Sequence, residues 1–388
     1  MKPRFHLSHI AAGFSTVLVG YTSSIIIVIQ AATAAGATAQ DIESWLLTLG
    51  LIMGFGCLVF SWHYKRPILM AWSTPGAAML AAAAAAYPLP VVLGACMVTG
   101  GLIALTALIR PLHHALNRVP AALSAAMLAA ILLPFCLKAF VPWQEMPVVF
   151  LSMLVVYVLC KRFWPRYTML WLLCAGVLLA CLQAAFDVGG VSLALSQPVW
   201  TTPKWDWLAV VNLSVPLYVL TMLSQNLPGI AMLKNYGYEA PVKPVLLGTG
   251  LINVLAAPFG GFSINLAAIS AAMCLNEQVD ANPNERYKAA LWAGVFYLMA
   301  GVWASAVVAL FLALPKEISQ ILAGLALLGT LGMCLQNTFK AGSEQEAALL
   351  TFLITLSGIT FLGISATLWG LLVGGVYLKY LVKKPLLA

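Results

Sequence analysis

The chain has 388 residues, of which 62% are hydrophobic and 8% are charged, with a formal net charge of +8 and a mean hydropathy of +0.96. A soluble domain carries about 25% charged residues, because its surface must hold water. The composition therefore excludes an ordinary soluble protein, a disordered chain and a nucleic-acid-binding arm, and it predicts that most of the chain lies in lipid.

Long apolar runs recur along the whole chain. A bilayer core about 30 Å thick is crossed by roughly 20 helical residues, and the runs have this length rather than the ten-residue alternation of barrel strands. We therefore predict an all-α polytopic membrane protein with fourteen transmembrane segments. In chain order they are residues 11–38, 43–62, 68–86, 89–109, 119–137, 147–162, 168–186, 207–232, 244–258, 261–276, 288–313, 318–337, 346–363 and 365–381.

The first run resembles a secretory signal at its start. Lys2 and Arg4 precede it, but it continues to about Ala39 without a convincing cleavage site. Because that is too long for the apolar region of a signal peptide, we expect a retained first span.

The basic residues test the count of fourteen. With the N-terminus inside, seventeen of the 20 Lys and Arg residues fall in inside segments, whereas Lys138, Lys204 and Lys316 fall outside. Lys and Arg collect in short cytoplasmic loops, and one missed span would invert every later loop. The distribution predicts that both termini are cytoplasmic, and helical spans imply a bacterial inner (cytoplasmic) membrane.

The residue types that carry chemistry do not cluster in the predicted spans. The acidic residues and the five histidines fall in loops or at span ends, and the eight cysteines lie in apolar segments without a C-x-x-C pair. Metal, cofactor or intramembrane enzyme chemistry needs clustered ligands or paired acids. We therefore predict no metal, no cofactor, no disulfide framework, no enzymatic activity and no nucleic-acid partner.

Two segments depart from the apolar pattern at their middles. The third contains WSTPGA at residues 72–77, and the tenth contains PFGGFSIN at residues 258–265. Each has extended-favouring or glycine-rich residues, then a good N-cap residue, then a run of small apolar residues. Each predicts a half-helix that begins inside the membrane.

The two interruptions occupy matching positions in two halves of the chain. Pro75 and Asn265 are 190 residues apart, and the seventh and last spans start 197 residues apart. Fourteen spans split into two halves of seven, so the second half enters the membrane from the opposite side. The pattern predicts a 7+7 inverted repeat whose broken third and tenth spans form a transporter site. Each interruption alone would more simply be a kink or a close-packing position.

The fourteen-segment pattern, STPG at residues 73–76 and GGFSIN at residues 260–265 together resemble the benzoate membrane transporters, a proton-symporter family within the larger group of nucleobase/ascorbate and sulfate-type anion carriers. The resemblance covers essentially the whole chain. It implies uptake of a small aromatic carboxylate coupled to a proton.

The same resemblance implies two domains. It assigns residues 1–118 and 207–314 to a core domain, and residues 119–206 and 315–388 to a gate domain. The combination of Gly, Pro and Trp in residues 187–206 predicts that they form an interfacial segment joining the two halves. The sequence does not decide between a monomer and a homodimer.

Two half-helices that start near the membrane midplane would aim backbone N–H groups and positive dipole ends at one spot. We therefore predict that the substrate carboxylate lies between the starts of the third and tenth half-helices. The predicted substrate-binding residues are Ser73, Thr74, Gly76, Ser263 and Asn265 of these half-helices, Gln225 and Asn226 of the eighth span, Tyr21 of the first span, and Phe262 as the aromatic slot for the ring. For Gln225 and Asn226 the alternative is hydrogen bonding between helices.

The proton acceptor and the substrate class leave alternatives open. The substrate carboxylate itself or His63 could take the proton, but His63 ends the second span beside Lys65 and Arg66 as a topology residue would. An anion exchanger or a nucleobase-type carrier is the alternative on the same scaffold. Nucleobase carriers of the group have glutamates where this chain has SQN at residues 224–226 and SIN at residues 263–265, which disfavours a nucleobase.

Overall fold

The computed structural model describes residues 6–109, 120–183, 195–267, 270–340 and 342–380. It contains sixteen α-helices and two short strands within these ranges. They are α1 Leu7–Ala34, α2 Ala39–Tyr64, β1 Met70–Trp72, α3 Thr74–Ala83, α4 Leu89–Leu108, α5 Ala121–Lys138, α6 Pro142–Glu145, α7 Pro147–Phe163, α8 Thr168–Leu182, α9 Trp207–Asn235, α10 Val242–Ala256, β2 Ile264–Leu266, α11 Ala272–Leu275, α12 Tyr287–Val302, α13 Ala304–Leu312, α14 Lys316–Phe339, α15 Gln345–Ser357 and α16 Ala366–Tyr380.

Eight helical stretches within the described ranges are long and apolar enough to cross a membrane, and α12 with α13 makes a ninth if this bent pair is one span. In the described ranges, each of the fourteen predicted segments overlaps a helix, a pair of helices or a strand followed by a helix. The chain is therefore a helical membrane-type protein, and the count of fourteen membrane spans stays a prediction.

Two helix pairs make the most extensive contacts within the described ranges, α4 with α10 and α2 with α12. Both pairs pack through glycines. A Cβ on Gly250 would lie 2.4 Å from the backbone nitrogen of Ala104, and a Cβ on Gly50 would lie 2.5 Å from the Cα of Gly301. Small residues let membrane helices approach to backbone contact, so these glycines fix how closely each pair packs.

Helix α9 departs from regular α geometry in two five-residue stretches of π-helix, Val210–Ser214 and Met222–Asn226. Such bulges rotate the side chains that follow them and are frequent at functional sites. The second stretch contains Gln225 and Asn226, which the sequence predicted as side-chain donors of the eighth span.

The predicted eleventh span, residues 288–313, is two helices that meet at 63°. Ser196 of the extended segment before α9 lies at the break. Its N–H donates to the carbonyl of Val302 at 3.1 Å, and its Oγ accepts from the N–H of Ser305 at 2.7 Å. These bonds replace ladder bonds that a straight helix would make, so a serine distant in sequence bends the span.

The extended segment at residues 195–206 lies along one end of the helices predicted to form the core. The Val199 N–H donates to Ser44 Oγ of α2 at 2.9 Å, and the Lys204 N–H donates to the carbonyl of Pro90 at 2.8 Å. Residues 187–194 of the predicted interfacial segment lie outside the described ranges.

The third segment has the predicted break. Strand β1 ends at Trp72, Ser73 is the N-cap, and α3 begins at Thr74 with Pro75 in its first turn. Proline suits this position because its missing N–H would be unpaired there in any case.

The tenth segment differs from the prediction. The expected half-helix from Ser263 or Asn265 is wrong for the described residues, because residues 264–266 form strand β2 and the helix α11 that follows covers four residues, Ala272–Leu275. Residues 268 and 269 lie outside the described ranges. The physical reason is that β2 pairs with β1 and that side chains of two neighbouring helices hold its backbone extended.

Candidate functional site

The two interrupted segments meet as an antiparallel pair of strands. Met70 lies opposite Leu266, Ala71 opposite Asn265 and Trp72 opposite Ile264. The pairing continues for one further bond, since the Ser73 N–H donates to the carbonyl of Ser263 at 3.0 Å. We call this pairing of residues 70–73 with residues 263–266 the crossing. It brings the start of α3 against the residues that precede α11.

Ser73 accepts most of the hydrogen bonds that the backbone N–H groups at the start of α3 can donate. The Gly76 N–H donates to Ser73 Oγ at 3.0 Å, and the Ala77 N–H donates to the Ser73 carbonyl at 2.8 Å. Pro75 has no N–H to offer. The Thr74 N–H is then the first-turn donor that has no partner among the described residues.

Two asparagines hold β2 in its extended conformation. Asn226 Oδ1 accepts from the Leu266 N–H at 3.0 Å. The Asn253 amide bonds to both backbone groups of Ile264. Its Oδ1 accepts from the Ile264 N–H at 2.8 Å, and its Nδ2 donates to the Ile264 carbonyl at 3.0 Å. Asn253 was not among the predicted site residues, although an asparagine in the middle of an apolar span was a usable signal.

Ser263 and Asn265 form the polar centre of the crossing. Ser263 has a positive φ of 37°, which is strained for a residue other than glycine, and its Oγ accepts from Thr221 Oγ1 at 3.1 Å. Asn265 is fully buried, and its Nδ2 donates to the Ser263 carbonyl at 2.9 Å. Asn265 Oδ1 is buried and has no hydrogen-bond partner within the described part of the chain.

Tyr21 lies beside the crossing on α1. Its ring meets the ring of Trp72 edge to face, with centroids 4.8 Å apart, and its buried hydroxyl has no partner among the described residues. Trp72 is fixed in turn, because its Nε1 donates to Ser24 Oγ at 2.8 Å. Tyr21 and Trp72 therefore form a fixed aromatic wall, and within the described residues the Tyr21 hydroxyl on this wall has no hydrogen-bond partner.

The other predicted site residues have different surroundings. Phe262 is 1% exposed, and its ring packs against Trp45 of α2 with centroids 5.7 Å apart. A Cβ on Gly76 would lie 2.6 Å from Leu217 Cδ1, so Gly76 lets α9 approach α3. Gln225 and Thr74 are half-buried. The exposed His63 packs edge to face against its neighbour Tyr64 near the end of α2.

A cavity of about 410 Å³ lies between α1, the turn at Pro165–Tyr167 and the segment around α11, at the end of the bundle where α1 begins. Ser15 Oγ and the Tyr167 hydroxyl are hydrogen-bonded to each other at 3.4 Å on its lining. Its polar lining includes Ser8, Ser15, Arg166, Tyr236, Asn276 and Gln278. Arg166 gives this cavity a positive charge close to the segment that follows β2.

The buried His9 and the half-buried Asp280 form a pair that fixes the same end of α1. His9 Nδ1 accepts from the His6 N–H at 3.1 Å, so Nε2 carries the proton and donates to Asp280 Oδ2 at 3.0 Å. Burial opposes ionisation of Asp280, but hydrogen bonds from the Asn282 N–H and from His9 hold the pKa of this carboxyl below its ordinary value. The sequence did not indicate this pair, whose members are 271 residues apart.

Comparison of the sequence with known proteins finds a family of transporters. The family model described as BenE, benzoate membrane transport protein, matches residues 3–380. The inner membrane protein YdcO of Escherichia coli (strain K12) is 40% identical over 365 residues, which cover 94% of this chain and 93% of that protein. The benzoate membrane transport protein of Acinetobacter baylyi is 34% identical over 385 residues, which cover 99% of this chain and 98% of that protein.

Two solved structures have a similar fold. The transmembrane domain of the cyanobacterium bicarbonate transporter BicA gives a TM-score of 0.65 at 14% identity and covers 96% of this chain and 98% of that one. The structure of SLC26A9 gives a TM-score of 0.65 at 11% identity and covers 97% of this chain, which spans 65% of the SLC26A9 chain. At such identities the likeness concerns the fold alone.

Proposed function

Because the chain belongs to the benzoate membrane transport protein family and is thus a membrane transporter rather than an enzyme, we propose that it imports benzoate or a related aromatic carboxylate together with a proton. Import proceeds by alternating access, in which one domain moves as a body against the other. The name of the Acinetobacter relative supports benzoate as the substrate.

The observation that carries the proposal is the pairing of β1 with β2 at the start of α3. The pairing joins the N-cap Ser73 to the Ser263 carbonyl, so the positive end of the α3 dipole lies next to the segment that carries Ser263 and Asn265. A helix N-terminus binds anionic and carboxyl oxygens, and each such dipole contributes about 0.3 to 2 kcal/mol. Together with a few hydrogen bonds of about 1 kcal/mol each, such contributions give modest affinity, which suits a carrier because it must also release its substrate.

The ring of the substrate requires an apolar slot next to the carboxyl group. Tyr21 and Trp72 form an aromatic pair within reach of the paired strands, and Phe262 precedes Ser263 directly. We assign the ring to this aromatic wall, with Gln225 and Asn226 of α9 and the α3 residues Ser73, Thr74 and Gly76 completing the site. Aromatic contacts of this kind contribute about 0.5 to 1.5 kcal/mol beyond burial.

The helix packing supports the 7+7 inverted repeat. If the second half repeats the first, α4 corresponds to α12 and α2 corresponds to α10, so the pair α4–α10 is equivalent to the pair α12–α2. These are the two most extensive contacts in the described structure, and both pack through glycine. Two equivalent interfaces are what a pseudo-two-fold axis in the membrane would produce.

The proposed domains are residues 1–118 with 207–314 as the core and residues 119–206 with 315–388 as the gate. Both α3 and the π-helical stretch Met222–Asn226 contact α5, which belongs to the proposed gate. The crossing therefore faces the domain boundary, where movement of one domain against the other would open and close access to it.

Proton coupling supplies the driving force that an anion needs. Import of one negative charge against an inside-negative potential costs about 2.3 kcal/mol per 100 mV. A proton carried with the carboxylate cancels that charge and adds the energy of the pH gradient. We place both termini in the cytoplasm of a bacterial inner membrane, in line with the distribution of Lys and Arg and with the name of the Escherichia coli relative.

Reconstituted vesicles test the proposal. Labelled benzoate should accumulate in proteoliposomes when the outside is made acidic, without any anion inside, and a protonophore should abolish the accumulation. Accumulation that instead requires an internal counter-anion would assign the protein to the exchangers. Accumulation of labelled uracil but not benzoate would assign it to the nucleobase-type carriers.

A further inference from the structure

Resting on the proposed function, we propose that the site binds its substrate as the neutral carboxylic acid, with the acid O–H donating to Asn265 Oδ1 and the acid carbonyl accepting from the Thr74 N–H. The substrate itself then carries the transported proton. Asn265 is the residue that selects the protonated form.

The orientation of the Asn265 amide is determined by its neighbour. Nδ2 donates to the Ser263 carbonyl at 2.9 Å. A rotated amide would set Oδ1 against that carbonyl, acceptor against acceptor, so the observed orientation is the stable one. The amide therefore presents an acceptor, Oδ1, to the rest of the site.

That acceptor is fully buried and has no partner among the described residues. A buried acceptor without a hydrogen bond destabilises the folded protein, because it has lost its bonds to water. The cost is recovered when a ligand brings a donor to Oδ1. An anionic carboxylate has two acceptor oxygens and no donor, so it cannot do this.

The unpaired acceptor lies next to the start of α3. The Ser263 carbonyl accepts both from Asn265 Nδ2 at 2.9 Å and from the Ser73 N–H at 3.0 Å, so these two donors are at most about 6 Å apart. The N–H of Thr74, which has no partner among the described residues, follows Ser73 directly. We assign this donor and Asn265 Oδ1 to one site, because a donor beside an acceptor is the pattern complementary to a carboxylic acid.

Among the described residues, the side chains that hydrogen-bond to residues 70–73 and 263–266 from other segments are uncharged. They are Cys57, Ser24, Thr221, Asn226 and Asn253. Within the described ranges, the titratable groups in contact with the paired strands are the thiol of Cys57 on α2, bonded to the Met70 N–H, and the phenol of Tyr21 on α1, packed on Trp72. Both are neutral between about pH 5.5 and pH 7.5.

The proton balance follows directly. Outside the cell one carboxylate and one proton combine to form the acid that binds, and inside the cell the released acid returns one proton and one carboxylate. A carboxylic acid with a pKa near 4 is mostly ionised at neutral pH. Its apparent affinity for such a site should therefore fall about tenfold for each pH unit above about pH 5.5.

Four ligands of similar shape separate hydrogen bonding from charge. With purified wild-type protein, calorimetric titration should show benzoate affinity falling about tenfold per pH unit and benzamide affinity constant with pH, because benzamide is neutral and carries a donor beside an acceptor. Methyl benzoate, neutral without a donor, and benzenesulfonate, anionic at every pH used, should bind at least tenfold more weakly than benzamide.

Benzenesulfonate binding as tightly as benzoate, or benzoate affinity that does not change with pH, would overturn the inference while leaving proton-driven benzoate uptake intact. Absence of benzoate binding at every pH, together with absence of uptake, would instead remove the proposed function. The two failures are therefore distinguishable.

The variant Asn265→Leu removes the acceptor at nearly constant volume. Benzoate and benzamide should both lose at least tenfold in affinity, and the benzoate pH dependence should flatten. Unchanged benzamide binding by this variant would contradict the assignment. If the variant does not fold, the four ligands on the wild-type protein still decide the question.

Discussion

Ser73 donates its backbone N–H to the carbonyl of Ser263 at 3.0 Å, and this bond joins the two interrupted segments. Ser73 is also the N-cap of α3, and the same Ser263 carbonyl accepts from Asn265 Nδ2. One oxygen atom therefore sets the distance between the start of a helix and the buried amide. A change at either serine shifts the donor, the acceptor or both.

The variant Ser73→Ala should weaken α3 and the site together. Loss of an N-cap hydroxyl costs about 1 kcal/mol, and the Gly76 N–H loses its acceptor. We expect a thermal transition lower than wild type in detergent and a benzoate affinity lower by roughly fivefold. Ser124→Ala is the matched control, because that hydroxyl bonds to the Ala121 carbonyl of its own helix. Equal effects of the two variants would argue against the special position of Ser73.

The variant Asn253→Leu should be more damaging, although Asn253 is not a predicted ligand residue. It would leave both the N–H and the carbonyl of buried Ile264 unpaired, at a cost of about 2 to 5 kcal/mol. We expect a large drop in thermal stability and loss of the stabilisation that benzoate gives. Thr249→Val, one turn earlier on α10, removes a hydroxyl that bonds within its own helix and should change stability by less than about 1 kcal/mol.

The sequence located the two crossing segments but not their detailed form. Apolar runs predict helices because buried residues recur at the helical period. The STPG at residues 73–76 predicts a helix start because a capping residue and the N–H groups it binds are close in sequence. The conformation of residues 263–266 is not local. It depends on β1 and on Asn226 and Asn253, which lie far away or on other helices, so the expected half-helix at this point was wrong.

For the same reason, contacts between residues far apart in the chain could not be predicted from the sequence. The sequence placed His9 and Asp280 in loops or at span ends, and Ser196 in the predicted interfacial segment 187–206. Their roles arise because the fold brings distant segments together, with His9 on Asp280 and Ser196 in the break before Ser305. A single sequence carries no periodic or spacing signal for such contacts.

The variant Arg166→Gln should slow substrate exchange at the N-terminal end of α1. Arg166 lines the 410 Å³ cavity there, and a positive charge at the mouth of a cavity raises the local concentration of a released anion. We expect benzoate counterflow in proteoliposomes to slow several-fold at low salt, with the difference vanishing at high salt because the charge is screened. Arg162→Gln, also exposed but outside that cavity, is the control and should retain the wild-type rate.

The variant Asp280→Asn should lower stability in a way that depends on pH. The pKa of Asp280 is lowered in the folded protein relative to its ordinary value of 3.8, so its contribution to folding is present above pH 3.8 and is lost as the pH falls through the lower, folded-state value. Its partners are the His9 ring and the Asn282 N–H, and a hydrogen bond to a charged group contributes about 1.5 to 3 kcal/mol.

Thermal unfolding in detergent should therefore show the Asp280 variant below wild type at neutral pH and at about pH 5, with the two curves converging once wild-type Asp280 is protonated below pH 3.8. Glu277→Gln, on an exposed carboxyl of the same loop, should match wild type throughout. A constant difference at every pH would mean that Asn fails at position 280 for reasons of shape rather than charge.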